Sequence, residues 1–251
     1  RIGSKFLDAG PGFGGSCFKK DILNLVYLAE YFGLPEVAAF WNSVVSVNNW
    51  HQHRISRLIT RKLFGSLSNK KIVILGFAFK ANTNDTRESP AIKICKDLLN
   101  ERAFLHIHDP KVDPNQIEID LDMPQNEKDD SEVFSEKGCW YFVKDIYEAA
   151  KEADAILVIT EWEMYSNLDW RKISKVMRKP SWIFDSRSIL NSKEVKLSHS
   201  INVDGIDFNL IGKADRIDIE GEMLRIIDYK TGKVIDKELA FTRYNELIED
   251  S

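Results

Sequence analysis

The chain has 251 residues, 43% of them hydrophobic and 29% charged, with a formal net charge of −4. These are globular values, and they exclude a disordered chain, a collagen and a coiled-coil rod. The small negative charge offers no bulk attraction to nucleic acid or to a membrane surface.

The first segment, residues 8–17, is rich in glycine (Gly10, Gly12, Gly14, Gly15) and ends at Cys17. Residues 21–32 carry Ile22, Leu23, Leu25, Val26, Leu28 and Ala29 at helical spacing, with Gly33 placed to stop the helix. Leu34-Pro35 opens a longer helix to about Leu63, with Pro35 at its first turn and Gly65 as its stop. Residues 70–76, KKIVILG, read as a strand buried on both faces. Ser89-Pro90 opens the next helix, to about Arg102, and residues 104–108 form the next strand. Residues 110–137 read as a polar loop with one weak strand at 117–121. Strands at 140–143, 155–160 and 182–185 then alternate with helices at 145–152 and 170–177. Such alternation predicts an α/β fold, a Rossmann-like doubly wound parallel sheet preceded by long central helices.

After about Leu190 the texture changes. Residues 201–212 and 224–229 read as strands with a turn at Glu220-Gly221, which is antiparallel character in a small β-rich C-terminal module. Residues 198–251 also hold seven basic and twelve acidic side chains, which sets the boundary between Asn191 and Ser200. At roughly 150 residues per domain the length suits this division. The longest apolar stretch, 153–160, falls far short of the ~20 residues that span a bilayer, so no membrane contact is expected. No charged-then-apolar leader opens the chain. Three cysteines (Cys17, Cys95, Cys139) argue for a reducing compartment, and the expected location is cytoplasmic. The chain opens at Arg1 and runs at once into the glycine segment, which reads as the interior of a longer protein.

The segment from Gly12 to Asp21 carries the chemistry. Three glycines in four positions let a backbone approach a ligand closely. Cys17 then stands just before a helix, where the dipole and free N–H groups favour a thiolate, with Lys19 and Lys20 beside it. A thiolate with a neighbouring Lys and Asp suits covalent catalysis on a carbonyl carbon. The plainer alternative is a small buried hydrophobe.

This segment, with residues 1–7 before it, resembles the nucleophile motif of the UDP-glucose 6-dehydrogenase family. Further matches follow in the same order: Gly76-Phe77-Ala78-Phe79-Lys80, Asp85-Thr86-Arg87-Glu88-Ser89, Ile107-His108-Asp109-Pro110-Lys111, Thr160-Glu161-Trp162 and Phe184-Asp185-Ser186-Arg187. The likeness covers about residues 1–190. It implies an NAD-dependent oxidation, in two steps, of the C6 alcohol of UDP-glucose to the carboxylate of UDP-glucuronate. Cys17 would attack the C6 aldehyde to give a thiohemiacetal and then a thioester, with Asp21 and Lys20 in the catalytic group. Arg1, Phe6, Leu7, Asp8, Ala9, Gly10, Pro11, Gly12, Phe13 and Gly14 match positions that hold the UDP-sugar, together with Phe18, Phe79, Lys80 and Arg187. Cys17, Phe18, Lys19, Lys20 and Arg87 match positions on the NAD side. Arg1 matches an arginine that reaches a neighbouring subunit's substrate, implying a dimer-based homo-oligomer. Asp8 departs from the lysine usual in animal members, and Asn84 replaces a glycine. No G-x-G-x-x-G follows a strand, so the NAD domain is expected to lie outside these residues, and the chain is not expected to turn over alone.

The tail has its own pattern. Asp215 and Asp228, 13 residues apart, read as lying on neighbouring strands, and Asp228-x-Lys230 puts an acid and a lysine on one strand face. Two carboxylates can hold Mg²⁺ while a lysine orients a water for phosphodiester cleavage. Residues 200–235 resemble the metal core of RecB-like PD-(D/E)XK nucleases, which implies DNA as a partner if the tail is functional. A solvated hairpin is the plain alternative. His106 and His108, on one strand face, read as exposed rather than metal-binding. Phe40, Trp41 and Trp50 read as core or subunit-interface packing. The resulting organisation is 1–65, cysteine loop and central helices; 66–190, a Rossmann-like UDP-binding domain; and 191–251, a partial nuclease-like β module. A non-catalytic UDP-binding scaffold remains a third possibility.

Overall fold

The computed structural model describes residues 8–126 and 137–190, together with the backbone of four strands between 199 and 227. Two compact units result, Arg1–Val195 and Lys196–Ser251.

In the first unit, helices α1 (Phe18–Tyr31) and α2 (Pro35–Lys62) precede a five-stranded parallel sheet. Its strands are β1 (Lys71–Leu75), β2 (Phe104–His108), β3 (Cys139–Phe142), β4 (Ala155–Val158) and β5 (Trp182–Asp185), in the order β3-β2-β1-β4-β5. Every paired strand is parallel, with Ile72 opposite Leu105 on one side and Ala155 on the other. The alternation of side chains along a strand divides the core. Ile72 and Ile74 of β1 join Leu105, Ile107 and Leu157 on one face, under α3 (Pro90–Asn100), α4 (Pro114–Leu121) and Ile59 of α2. Val73 and Leu75 join Ile156 and Val158 on the other, under α5 (Ile146–Ala150), α6 (Glu163–Ser166) and α7 (Trp170–Val176). Both faces are covered, which is why β1 and β4 are apolar runs rather than alternating ones. The winding reverses between β1 and β4, so their carboxyl ends open a crevice at the topological switch point.

The structure corrects the sequence reading at several places. Residues 117–121 are not a strand: Asp113 caps α4 by accepting from the Asn115 N–H at 2.8 Å, Pro114 fills the first turn, and Ile117 and Leu121 are one helical turn apart and buried. The short helix α6 was not anticipated, and α1 begins at Phe18 rather than Asp21. His108 is buried rather than exposed, its Nδ1 2.9 Å from the Tyr165 hydroxyl, which in turn donates to the His108 carbonyl at 3.1 Å. His106 stacks on Tyr141. Phe40 and Trp50 are exposed in this chain, not core.

In the second unit, β6 (His199–Val203) pairs antiparallel with β7 (Ile206–Leu210), and β8 (Arg216–Glu220) with β9 (Met223–Ile227). The expected single strand over 201–212 is therefore a hairpin. The sequence between its strands is Asp204-Gly205, a strong hairpin dipeptide. Asp215, Asp228 and Lys230 lie outside the described residues, as do Arg1, Phe6 and Leu7.

Candidate functional site

The glycine segment runs between the middle of α2 and the switch-point crevice. On the helix side Asn48 uses both ends of its amide on one residue. Its Oδ1 accepts the Phe13 N–H at 2.9 Å, and its Nδ2 donates to the Phe13 carbonyl at 3.1 Å. Gln52 adds a longer bond to the same carbonyl at 3.4 Å, and His51 Nε2 lies 3.1 Å from the Gly10 carbonyl. These three polar residues, at i, i+3 and i+4 on one helix face, went unrecognised at the sequence level. Their spacing was visible, but nothing in the pattern says that the partner is backbone.

On the sheet side the Gly15 N–H donates to the Arg87 carbonyl at 2.8 Å. The close approach explains two glycines. A Cβ at Gly14 would meet the Glu88 carbonyl oxygen at 2.5 Å. At Gly12 the backbone has φ +123°, and a Cβ would meet Asn48 Oδ1 at 2.6 Å.

Cys17 is the N-cap residue of α1, exposed, with its Sγ 3.6 Å from Ser16 Oγ. The Phe13 and Phe18 rings meet edge to face at 4.6 Å, which joins the loop to the start of this helix. Asp21 lies one turn on from Cys17, so the two share a helix face, and Asp21 and Lys20 are exposed. Lys19 pairs with Glu88 at 2.9 Å. By contrast Cys95 is fully buried, and burial pushes its thiol well up from the ordinary range, with Asp97 adding to the effect. Among the described residues no cluster of His, Cys, Asp and Glu is arranged to hold a metal.

Arg187 reaches across the crevice from beyond β5. Its Nε donates to the Ile159 carbonyl at 2.6 Å, and a terminal nitrogen donates to the Phe79 carbonyl at 3.2 Å, tying together the loops after β4 and β1. Glu161 lies 3.1 Å from Nε, and burial lowers the guanidinium's pKa against that attraction. The other terminal nitrogen, Nη1, lies 2.8 Å from where a Gly10 Cβ would stand, and no described acceptor takes its protons. Lys80 is exposed, its Nζ 5.4 Å over the Phe79 ring, and the Gly12 and Gly14 N–H groups also meet no described acceptor. Unspent donors thus lie along the glycine loop and on the strand-end residues near it, an arrangement suited to an anionic ligand. Asp8 and Ala9 are exposed and Pro11 is buried.

Arg87, on the cofactor side of the expected site, makes a two-pronged bond to Asp85, with Nε at 2.9 Å and the terminal nitrogen at 2.7 Å. That bond holds the Asp85 carboxyl below its ordinary range. It raises Arg87 in turn, and Cys17 is close enough to add to the effect. Two further hollows flank the site. One of about 370 Å³ is lined by Phe13, Ser43, Val44, Val47, Asn48 and His51. Another of about 390 Å³ lies where β2 and β3 end, between Lys111 and Lys144.

Two family models match here: the UDP-glucose/GDP-mannose dehydrogenase family, central domain, over residues 1–50, and the UDP binding domain of the same family over 73–192. A third, the PD-(D/E)XK nuclease superfamily, matches 142–246. Up to residue 185 that third match runs through strands built into the parallel sheet. The chain is 47% identical over 213 residues to UDP-glucose 6-dehydrogenase of Bos taurus, covering 85% of this chain and 42% of that protein. It is 47% identical over 196 residues to the Drosophila melanogaster UDP-glucose 6-dehydrogenase, covering 78% and 40%. Among solved structures, a UDP-glucose dehydrogenase from Pyrobaculum islandicum superposes with a TM-score of 0.59 at 27% identity, covering 77% of this chain and 39% of that one. A Pseudomonas aeruginosa GDP-mannose dehydrogenase, at 23% identity and TM-score 0.56, shares the fold. The chain therefore spans well under half the length of the relatives that it matches.

Proposed function

The chain belongs to the UDP-glucose/GDP-mannose dehydrogenase family, and from that premise we propose that it is the nucleophile- and UDP-bearing part of a UDP-glucose 6-dehydrogenase. The observation that carries the reading is the glycine loop laid across the switch-point crevice, with Cys17 exposed at its end and Arg187 Nη1 against Gly10. In this reading residues 1–65 supply the cysteine loop and central helices, 66–190 the UDP-binding domain, and 191–251 a separate β module.

The diphosphate takes the free donors of Arg187, Lys80 and the glycine-loop amides, and Phe79 gives the nucleotide an apolar wall. Asp8, Ala9, Pro11, Phe13 and Phe18 complete the surround, with Arg1, Phe6 and Leu7 contributing from outside the described residues. Cys17 adds through its sulfur to the C6 aldehyde carbon, forming a thiohemiacetal; loss of hydride from that carbon leaves a thioester. Water then attacks the carbonyl, and the thiol departs with the carboxylate released. Asp21, on the face it shares with Cys17, handles protons, and Lys20 stands beside it. NAD, when bound, supplies the hydride acceptor for both oxidations. The exposed arc of Phe18, Lys20 and Arg87 around Cys17 fits a cofactor approaching from outside, while the G-x-G-x-x-G spacing at residues 10–15 follows no described strand, as a dinucleotide-binding turn would.

The exposed apolar residues of α1 and α2 and the turn between them, Tyr27, Tyr31, Phe32, Phe40, Val47 and Trp50 among them, support a dimer-based homo-oligomer. Three free thiols support a reducing, cytoplasmic setting. No described helix is long and apolar enough to cross a membrane.

The test is to fuse a cofactor-binding half from a relative ahead of Arg1 and follow NADH formation with UDP-glucose. Two NADH per sugar are expected, and Cys17→Ala should abolish carboxylate release. A fused protein that oxidises no UDP-glucose overturns the reading, and undiminished turnover in Cys17→Ala overturns the nucleophile.

A second reading, for the tail alone, is a Mg²⁺-dependent nuclease centred on Asp215, Asp228 and Lys230, supported by the family match over 142–246. Mg²⁺-dependent nicking of DNA that disappears in Lys230→Ala would establish it, and no nicking would leave the tail a plain β module.

A further inference from the structure

We propose that Asn48 is a positioning residue for the nucleophile loop, setting from α2 the course of the chain that leads to Cys17. The argument is a short chain of contacts. Asn48 holds both the N–H and the carbonyl of Phe13, at 2.9 and 3.1 Å. The Phe13 ring packs edge to face on Phe18 at 4.6 Å, and Phe18 is bonded directly to Cys17. Two neighbours on the same helix face act on the same stretch of backbone, Gln52 at the Phe13 carbonyl and His51 at the Gly10 carbonyl.

Gln52 shows how specific the arrangement is. It is only 3% exposed, and its Oε1 finds no hydrogen-bond partner among the described residues. An unpaired buried acceptor is unfavourable. An apolar side chain would serve the core better, so the residue is explained by what its Nε2 does to the loop. Gly12 fits the same account: its φ of +123°, and the 2.6 Å at which an added Cβ would meet Asn48 Oδ1, leave room there only for glycine beside the clamp.

A rigid clamp has a chemical consequence. With Phe13 committed to α2, the Gly12 and Gly14 N–H groups on either side meet no acceptor among the described residues. Donors on a backbone that is already held bind an anion without first having to be ordered. A loop that wandered by an ångström would misplace both the donors and the sulfur, which is where loss of positioning becomes expensive in rate. The clamp itself stands on geometry; its role in holding a sugar nucleotide rests on the function proposed above.

The experiment therefore has two arms on the full 251-residue chain. The first needs no ligand: amide hydrogen exchange at Gly15, whose N–H donates to the Arg87 carbonyl and does not touch Asn48. Asn48→Ala should speed exchange at Gly15 by about tenfold or more, because the whole loop loosens. Asn48→Asp, which keeps the acceptor for the Phe13 N–H but sets an oxygen against its carbonyl, should fall between Asn48→Ala and the parent. It carries the test if Asn48→Ala does not fold. The second arm is titration with UDP-glucose, where Asn48→Ala should weaken binding by about tenfold while the exchange of core amides in β1 and β4 stays put. Unchanged Gly15 exchange in both variants overturns the clamp. Faster exchange with unchanged UDP-glucose affinity confines Asn48 to a local structural bond and overturns its positioning role. Parent protein that binds no UDP-glucose sinks the function reading instead, and the exchange arm then still decides the clamp.

Discussion

Cys17 and Cys95 show how two thiols in one chain acquire opposite fates from their surroundings. Cys17 ends the glycine loop in the open, whereas Cys95 is sealed under the sheet on α3, and burial drives its thiol up. Iodoacetamide should label Cys17 first and leave Cys95 unmodified until the protein unfolds; peptide mapping that finds equal labelling would contradict this. His108 gives a prediction in pH. Burial holds it below its ordinary 6.5, with Asp109 opposing. The unfolded chain therefore takes up this proton before the folded one does. Its contribution to stability is complete above the unfolded value and is lost as the pH falls from there through the folded one. His108→Gln should flatten the fall of Tm as the pH drops below the ordinary histidine value of 6.5, and an equally steep curve would show that the acid loss lies elsewhere. The sequence singled out Cys17 because a glycine-rich run, a cysteine and a helix are local and ordered along the chain. It could not anticipate Asn48 or the buried state of His108, since their partners, Phe13 and Tyr165, are 35 and 57 residues away.

At the scale of elements, the helices and strands that were legible are those whose signal is apolar spacing plus a stop. For β1 the run KIVIL reported burial on two faces; for α3, Ser89-Pro90 gave the start. Ser89 also does more than cap. Its Oγ accepts from the Ala91 N–H at 3.3 Å and donates to the Phe77 carbonyl at 2.7 Å, joining α3 to the loop that leaves β1. Ser89→Ala should therefore cost about 2 kcal/mol, the sum of a lost cap and a stranded carbonyl. It should lower Tm by several degrees, and a shift within error would mean that the loop re-pairs without it. The missed α4 has the same kind of signal in smaller print. Asp113-Pro114 is a cap followed by a first-turn proline, but an eight-residue helix with two buried residues also passes as a short alternating strand. In the tail, Asp204-Gly205 outweighs a continuous β-like composition and folds one expected strand into the β6–β7 hairpin.

For the molecule as a whole, the strand order β3-β2-β1-β4-β5 matters more than any single contact. It opens a crevice between the ends of β1 and β4, and the loop carrying Cys17 is laid over that crevice from α2. Ligands of open α/β sheets bind at such a point, which is why motifs scattered from Gly10 to Arg187 meet in one place. The second unit, Lys196–Ser251, is a separate compact body, and the UDP-binding family model ends at residue 192, so the proposed substrate site is confined to the first unit. The most direct measurement is the melting of this chain with and without UDP-glucose. Binding at a hundred times Kd should add about 2.7 kcal/mol and raise Tm by several degrees, in a form cut after Val195 as well as in the full chain, and Arg187→Ala should remove the rise. A Tm that UDP-glucose leaves unmoved at millimolar concentration would contradict the claim that this crevice is a sugar-nucleotide site.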